Sequence, residues 1–149
     1  MDNPITMRPA TATDYPLLAD LLQTLAQAFI VPGMPPEAAA TFLRENDKEA
    51  MLAYREQGHV VTVAEIAGEL AGFIAIRPPS HLFHLFVAEP FQRRGVARAL
   101  WCASRGNATR FTVNSSPYAI PVYTAMGFAC AGPLACHHGV TFQPMTFEA

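Results

Sequence analysis

The sequence of 149 residues lacks several features that mark well-known classes of protein. No apolar run approaches the roughly 20 residues that a membrane-spanning helix needs. Residues 1–8 lack the basic start and the apolar stretch of a signal peptide. The cysteines number only three, and an odd count argues against a disulfide framework. We therefore expect a cytoplasmic protein that makes no membrane contact.

Charge is also scarce, with 15% charged residues and a formal net charge of -2. Nucleic-acid-binding domains usually carry a broad basic face, so we expect no nucleic-acid partner. A small basic cluster does occur, at Arg93, Arg94 and Arg98, and in such a chain it indicates a small anionic ligand. Hydrophobic residues are abundant at 51%, which is enough for the core of one domain over residues 1–149.

The spacing of apolar and turn residues predicts a mixed α/β (α+β) domain. Strands are predicted near residues 5–8, 59–66, 70–76, 81–87, 110–114, 128–133 and 140–147. Helices are predicted near residues 14–29, 37–55, 95–104 and 117–126. The order β-α-α-β-β-β-α-β-α-β-β combines antiparallel hairpins with one strand–helix–strand crossover. It therefore predicts a mixed sheet with helices on its faces.

A strand-to-helix turn carries the clearest chemical signal, and it reads Gln92-Arg93-Arg94-Gly95-Val96-Ala97. Gly95 allows the backbone to turn sharply. The first N–H groups of the following helix have no partner inside the helix and lie at its positive end. Phosphate is a natural ligand for such a site. The alternative is a tight turn with solvated arginines, since neither a Walker motif nor a triple-glycine fingerprint is present.

The context of this turn resembles the acetyl-CoA motif Gln/Arg-x-x-Gly-x-Gly/Ala of the GNAT (GCN5-related N-acetyltransferase) superfamily. The strand Leu85-Phe86-Val87 precedes the turn at the expected distance. Residues 116–128 resemble the second hallmark, in which Ala-x-x-x-Tyr precedes Gly-Phe. From residue 60 onward the chain is similar to small bacterial single-domain members. The resemblance implies the GNAT fold, with a mostly antiparallel sheet of six to seven strands flanked by four helices.

The resemblance also implies how the chain would bind acetyl-CoA as a cosubstrate. Leu85, Phe86 and Val87 would pair their backbone with the pantetheine arm, as an added strand pairs with a sheet edge. The pyrophosphate would lie against the backbone of Gln92, Arg93, Arg94, Gly95, Val96 and Ala97, with Arg98 nearby. Ser116 stands where many members have asparagine. This departure weakens one cofactor contact and leaves Ser116 as a candidate helix cap.

Tyr123 matches the family tyrosine that faces the sulfur of CoA. Its hydroxyl can bond to a departing thiolate or protonate it, although a core aromatic would fit the same helix. The attacking amine must lose a proton, and His81, then His84, are the first candidates for the base, with Glu37 weaker. A structural histidine and a water relay remain open. In a regular strand the two histidines point to opposite faces, unless a bulge intervenes.

The cysteine and histidine residues near the C-terminus do not have the spacing of a zinc site. We therefore expect no metal, and a buried strand cysteine beside a solvated loop, for Cys130, Cys136, His137 and His138. The function implied is direct transfer of an acetyl group to a primary amine of a small molecule or peptide. The alternatives are a non-catalytic CoA-binding sensor and a nucleotide-phosphate binder. The acceptor stays open, as does the oligomeric state, for which the family offers the homodimer.

Overall fold

The computed structural model describes residues 3–149. Met1 and Asp2, the first two residues of the segment in which no signal peptide was predicted, lie outside the described residues. Within this range the strands are β1 (Ile5–Pro9), β2 (Val60–Ile66), β3 (Glu69–Arg77), β4 (His81–Val87), β5 (Arg110–Ser115), β6 (Ala129–Cys130), β7 (Ala135–His137) and β8 (Val140–Glu148). The α-helices are α1 (Tyr15–Leu25), α2 (Pro36–Glu45), α3 (Lys48–Glu56), α4 (Val96–Ser104) and α5 (Ile120–Ala125).

The strands form one open sheet in the order β1-β2-β3-β4-β5-β8-β6, and β7 pairs with β8 beside β6. Neighbouring strands are antiparallel except β4 and β5, which are parallel. A parallel pair needs a crossover connection, and α4 provides it. The predicted α/β class and mostly antiparallel sheet are therefore confirmed, with eight strands rather than six to seven and five α-helices rather than four in residues 3–149.

Each face of the sheet is covered by its own hydrophobic core. The α4–α5 core packs Leu100, Trp101 and Tyr123 against one face. The α1–α3 core packs Leu18 and Met51, among others, against the opposite face. Helical spacing places Leu18, Leu22 and Leu25 on one side of α1, where all three are buried. Strand β4 thus contributes side chains to both cores, whereas β5 buries Phe111 and Val113 on the α4–α5 side and exposes its other face.

The helix predicted at residues 37–55 is wrong as one element, because the chain forms α2 and α3 instead. Asn46 Nδ2 donates to Phe42 O at 2.8 Å and so satisfies a carbonyl at the end of α2. Asp47 Oδ1 accepts the Ala50 N–H at 2.8 Å and so caps the start of α3. Short polar side chains at such positions favour helix ends over helix interiors.

Three other boundaries differ from the sequence prediction by more than one residue. The α-helix predicted to reach residue 29 ends at Leu25, and a π-helical turn over Ala26–Ile30 follows it directly. The Val31 N–H donates to Ala26 O at 2.9 Å and closes this turn. The helix predicted from residue 117 starts with the 3₁₀ turn Pro117–Ala119. The strand predicted at residues 128–133 is reduced to β6, because the chain turns away at Gly132 and Pro133 before it forms β7.

The expectation of a buried strand cysteine near the C-terminus is wrong. Cys130 and Cys136 are both exposed and unpaired with each other. His137 and His138 lie at the tip of the β7–β8 hairpin with their rings 4.0 Å apart. Among the described residues, no group of three or more His, Cys, Asp or Glu side chains is arranged to hold a metal ion.

Candidate active site

A gap between β4 and β5 opens the middle of the sheet. The two strands pair only at His81 with Thr112 and at Leu82 with Val113. Beyond these pairs β4 continues to Val87 with β3 on one side and no strand on the side of β5 within residues 3–149. The side chains of Leu85 and Val87 point toward the α4–α5 core, and Phe86 points toward the α1–α3 core. The remaining edge of β4 is therefore free to pair with an extended ligand.

The turn that follows β4 has the geometry of an anion site. Arg93 has a φ of 64° and Gly95 a φ of 81°, so both adopt the left-handed conformation on either side of Arg94. Alternation of this kind turns successive N–H groups toward one concave side of the backbone. Gly95 is the N-cap of α4 and supplies no side-chain cap, which leaves the first N–H groups of the helix available. Glycine suits this position because of the left-handed backbone conformation and not because of lack of space, since a Cβ on Gly95 would meet no atom within 4 Å.

The side chains around the turn hold it in place. Gln92 Nε2 donates to Val87 O at 3.0 Å and so ties the turn back to the end of β4. The Arg94 guanidinium lies 5.7 Å from the centre of the Phe91 ring. Val96 is buried in the α4–α5 core, whereas Ala97 is half-buried. Arg98 donates to Ala125 O at 2.7 Å, so its guanidinium joins α4 to the end of α5.

Tyr123 is buried in the α4–α5 core, with 6% of its surface exposed. Its ring packs edge-on to Phe128 with centroids 5.6 Å apart, and the same core receives Leu85 and Val87 from β4. Burial raises the pKa of the Tyr123 hydroxyl above its usual value. The hydroxyl is therefore protonated throughout the physiological range and can donate a hydrogen bond.

A bulge in β4 brings the candidate histidines to one face. Leu82 and His84 lie opposite the consecutive residues Ile76 and Ala75 of β3, so Phe83 is the extra residue. Such an insertion shifts the alternation of side chains along a strand. His81 and His84 consequently share the face of the α1–α3 helices, and the ring of Phe83 lies 4.4 Å from that of His84 and 6.5 Å from that of His81. The opposite faces expected of a regular strand are not observed.

His84 has a defined tautomer and partner. Because Asn46 Nδ2 donates to Phe42 O, Asn46 Oδ1 is left to accept from His84 Nε2, at 2.8 Å. Burial lowers the pKa of His84 to about 3, and His59 adds a smaller effect. His84 is therefore neutral at pH 7 with its Nε2–H committed to Asn46. This arrangement ties β4 to the junction of α2 and α3.

His81 lies where β4 and β5 are still paired. Its Nδ1 is 2.7 Å from Thr112 Oγ1, across the closed end of the gap. Burial, followed by the charge of Arg77 and then His59, lowers the pKa of His81 to about 4. A neutral imidazole carries a lone pair, but a conjugate acid this strong makes it a weak proton acceptor.

The sequence did not identify three residues that surround these histidines. Asn46 and Thr112 bind His84 and His81 from 38 and 31 residues away, and no local pattern predicts such contacts. His59 stacks on Tyr54 with ring centroids 5.2 Å apart and meets Phe83 edge-on at 4.8 Å. Its Nδ1 is buried and has no hydrogen-bond partner among the described residues. The only sequence signal for His59 is its place directly after Gly58, at the start of the strand predicted over residues 59–66.

The other predicted residues lie apart from the histidines. Ser116 Oγ accepts the Ala119 N–H at 3.3 Å, which is the capping role considered for it. Glu37 is exposed in the first turn of α2. The structure therefore groups the candidates around the gap: the free edge and the turn at one end, and His81 and His84 at the other. No helix in the described range is long and apolar enough to cross a membrane.

Comparisons with known proteins agree with this geometry. A family model described as acetyltransferase (GNAT) domain matches residues 30–149. No curated protein matches the chain at a significant level. A structure described as "GCN5-related N-acetyltransferase: aminotransferase, class-II" from Rhodopseudomonas palustris is 21% identical, covers 100% of this chain and 98% of its own, and superimposes with a TM-score of 0.79.

Two further similar structures contain the cofactor. PaiA N-acetyltransferase from Thermoplasma acidophilum, in complex with coenzyme A, is 15% identical over 98% of this chain and 99% of its own, with a TM-score of 0.77. YncA from Salmonella typhimurium, with its cofactor acetyl-CoA, is 16% identical over 97% of this chain and 94% of its own, with a TM-score of 0.69. At these identities the similarity shows a shared fold.

Proposed function

Because the chain belongs to the GNAT acetyltransferase family, we propose that it transfers the acetyl group of acetyl-CoA to a primary amine. The observation that carries the proposal is the continuity of the free β4 edge with the left-handed turn at Arg93 and Gly95. An extended pantetheine arm fits a strand edge, and a pyrophosphate fits the N–H groups at the start of a helix. PaiA and YncA, which share the fold, were solved with coenzyme A and acetyl-CoA.

The residues present suit this cosubstrate. Leu85, Phe86 and Val87 form the edge of β4 that no strand covers on the side of β5 in residues 3–149, although Val87 O already accepts from Gln92 Nε2. Residues 92–97 offer the anion site. Acetyl-CoA supplies an activated acyl group whose thiolate is a good leaving group. The protein then has to hold the acyl carbon near the amine and to assist the proton transfers.

In the proposed reaction the amine nitrogen forms a bond to the acetyl carbon and the C–S bond breaks. We assign Tyr123 to the sulfur, because its hydroxyl stays protonated and the residue belongs to the core against which Leu85 and Val87 of the β4 edge pack. It stabilises the thiolate by a hydrogen bond or donates its proton, which solvent replaces. The proton of the amine leaves to His81 or to water.

His81 is better placed than His84 for the role of base. The Nε2–H of His84 is bonded to Asn46 and its ring is buried. His81 lies at the closed end of the gap, half-buried, with only Nδ1 engaged by Thr112. Water remains an alternative acceptor, since the lowered pKa of His81 limits its strength as a base. Catalysis by positioning, with modest acid–base help, follows from these properties.

The test is release of free CoA thiol during incubation with acetyl-CoA and a panel of amines. We expect the Tyr123→Phe variant to lose about 100-fold in kcat, in line with typical general acid contributions, while its KM for acetyl-CoA stays within twofold. Thr124→Ala, which removes the exposed hydroxyl of the next residue, is the matched control and retains wild-type kcat.

A second outcome would favour the sensor. If wild-type protein binds CoA in calorimetry, releases no thiol with any amine, and Tyr123→Phe binds CoA equally well, the chain is a CoA-binding module without transferase activity. Acetylated amine detected by mass spectrometry with wild type excludes that alternative.

A further inference from the structure

Both walls of the gap between β4 and β5 are free of carboxylates. Residues 90–147 contain no aspartate or glutamate, although the chain has 12 acidic residues. The same stretch has five arginines: Arg93, Arg94, Arg98, Arg105 and Arg110. It forms β5, α5 and the β7–β8 hairpin as far as residue 147, and β4 itself contains no acid. A cationic alkylamine would therefore meet no anionic partner on either strand.

An aromatic stack lies at the edge of the sheet toward which the gap opens. Phe29, on the π-helical turn, stacks on Tyr118, in the turn after β5, with ring centroids 4.7 Å apart and planes within 8°. The strands are parallel, so the turn after β5 lies at the same edge of the sheet as the end of β4. The last turns of α1 reach this edge too, because Leu21 and Leu25 line a groove with Ala88. Tyr118 is 49% exposed, so the stack faces solvent.

The groups near the closed end of the gap are poor bases. On the side of the α1–α3 helices these are His81 and His84 of β4, His59, Arg77 of β3 and Tyr54 of α3. Burial raises the pKa of the Tyr54 hydroxyl, and the carboxylates of Glu45 and Asp47 raise it further. This hydroxyl donates a hydrogen bond to Glu45 O at the surface. An alkylammonium ion has a pKa of about 10, so removal of its proton by such imidazoles is strongly unfavourable. An amine conjugated to an aromatic ring carries no such proton at neutral pH.

We infer that the acceptor is an aromatic amine that is uncharged at neutral pH, and that Phe29 and Tyr118 hold its ring at the open end of the gap. This inference rests on the proposed acetyl transfer and names its substrate class. The amine nitrogen attacks the acetyl carbon, the C–S bond breaks, and one N–H proton passes to water while the thiolate is protonated by Tyr123 or solvent. No strong base is needed in this reaction, which fits the surroundings of the gap.

One feature of the same region would suit a different acceptor. A groove of about 310 Å³ runs between α1 and the turn after β4, and it contains the carboxylates of Asp20 and Glu89. A polyamine could bind there through its ammonium groups. The acceptor panel must therefore include both classes.

The test compares aniline, benzylamine and spermidine as acceptors, with thiol release as the readout. We expect kcat/KM at pH 7 to be at least tenfold higher for aniline than for benzylamine or spermidine, and the aniline rate to be flat between pH 6 and 8. A preference for benzylamine or spermidine would overturn the inference. A rate for aniline that rises about tenfold per pH unit between pH 6 and 8 would also overturn the inference. Such a slope means that the reaction requires a group with a pKa above 8 to lose its proton first.

Variants of the stacked pair test where the ring binds. Tyr118→Leu and Phe29→Leu should each lower kcat/KM for aniline about three- to tenfold, the range expected for one aromatic contact. Their KM for acetyl-CoA should stay within twofold. Tyr118→Phe, which keeps the ring, should restore the aniline rate toward the wild-type value. Val122→Ala, an exposed change on α5, is the control for a general effect of substitution in this segment. Equal losses for aniline and for spermidine, which has no ring, would contradict the assignment.

The failure of this inference is distinguishable from failure of the proposed function. If acetyl-CoA binds and alkylamines are acetylated, the transferase stands and the aromatic acceptor is wrong. If no amine in the panel is acetylated although CoA binds, both fail together and the sensor remains.

Discussion

His84 shows how one residue joins stability to the candidate site. Its ring is enclosed by the α1–α3 core, and its Nε2–H is bonded to Asn46. An unfolded chain would take up a proton on this histidine below about pH 6.5, whereas the folded chain resists protonation down to about pH 3. The unfolded state therefore binds more protons between these values, and folding stability falls as the pH is lowered through this window.

We predict that the free energy of unfolding decreases by about 2 kcal/mol from His84 alone between pH 7 and pH 5, where the unfolded histidine is protonated. Urea unfolding at the two pH values measures this change. His84→Asn should reduce the dependence by this amount and leave the part that comes from His81 and His59, whose pKa values are also lowered by burial. His138→Asn, at an exposed hairpin tip, should leave the dependence unchanged. Asp14 does not contribute to the change between pH 7 and pH 5. The hydrogen bond from Arg8 lowers the pKa of Asp14, so the stability that this carboxylate provides is lost only at more acidic pH. An unchanged slope in His84→Asn would contradict the assignment.

Sequence and structure agree less well for single residues than for motifs. The pattern of residues 92–97 predicted a turn at the start of a helix, because glycine and the helix end are local features. The common face of His81 and His84 was not predictable, since it depends on the bulge at Phe83 in the pairing with β3. Their partners Thr112 and Asn46 belong to other elements, which only the folded chain brings into contact.

At the scale of elements, the close contact between β3 and β4 fixes the free edge. Gly72 lies opposite Val87, and a Cβ at Gly72 would lie 2.6 Å from Phe86 O. A side chain there would push the end of β4 away from β3. The position of β4, whose free edge is proposed to bind the pantetheine arm, therefore depends on Gly72 of β3.

We predict that Gly72→Ala destabilises the protein by about 3 kcal/mol, the upper part of the usual range for overpacking. Gly106→Ala is a useful control, because its φ of 57° is strained for alanine but its Cβ would meet no atom within 4 Å. We expect that control to cost about 1 kcal/mol. Thermal or urea unfolding of both variants gives the comparison. A smaller effect at Gly72 than at Gly106 would show that the β3–β4 contact yields easily.

Element boundaries followed the sequence where local chemistry dominates. The strand predicted at residues 81–87 matches β4, whereas the single helix predicted at residues 37–55 is two. Asn46 and Asp47 explain the break through their bonds to helix ends, and these bonds could have been weighed from the sequence. The short β6 and the additional β7 depend on pairing with β8, which apolar spacing alone does not specify.

Across the whole molecule, the sheet consists of two parts joined by little backbone pairing. Strands β1 to β4 form one part and β5 to β8 the other, and only two residue pairs connect β4 with β5. The sequence predicted the mixed α/β class from alternating apolar patterns. It did not predict this gap, because the register of parallel strands is set by packing of the crossover helix rather than by local spacing. A ligand that fills the gap should therefore stabilise both parts.

We predict that CoA at about 100 times its Kd stabilises the protein by about 2.7 kcal/mol, as mass action requires for a ligand of the native state. Amide hydrogen exchange should slow most at Leu85 to Val87 and at residues 95–98. ATP at the same concentration is the control and should stabilise much less. Equal stabilisation by ATP would instead assign the anion site to nucleotide phosphates in general.

The bond from Arg98 to Ala125 O has a consequence for donor length. It joins the helix whose first turn faces the anion site to the helix that carries Tyr123. The two ends of the proposed donor site are therefore held at a fixed separation, which sets the length of the donor that can reach both ends. A donor with the full arm of CoA would present its sulfur to Tyr123, whereas one anchored at the same turn by a shorter arm would stop before it.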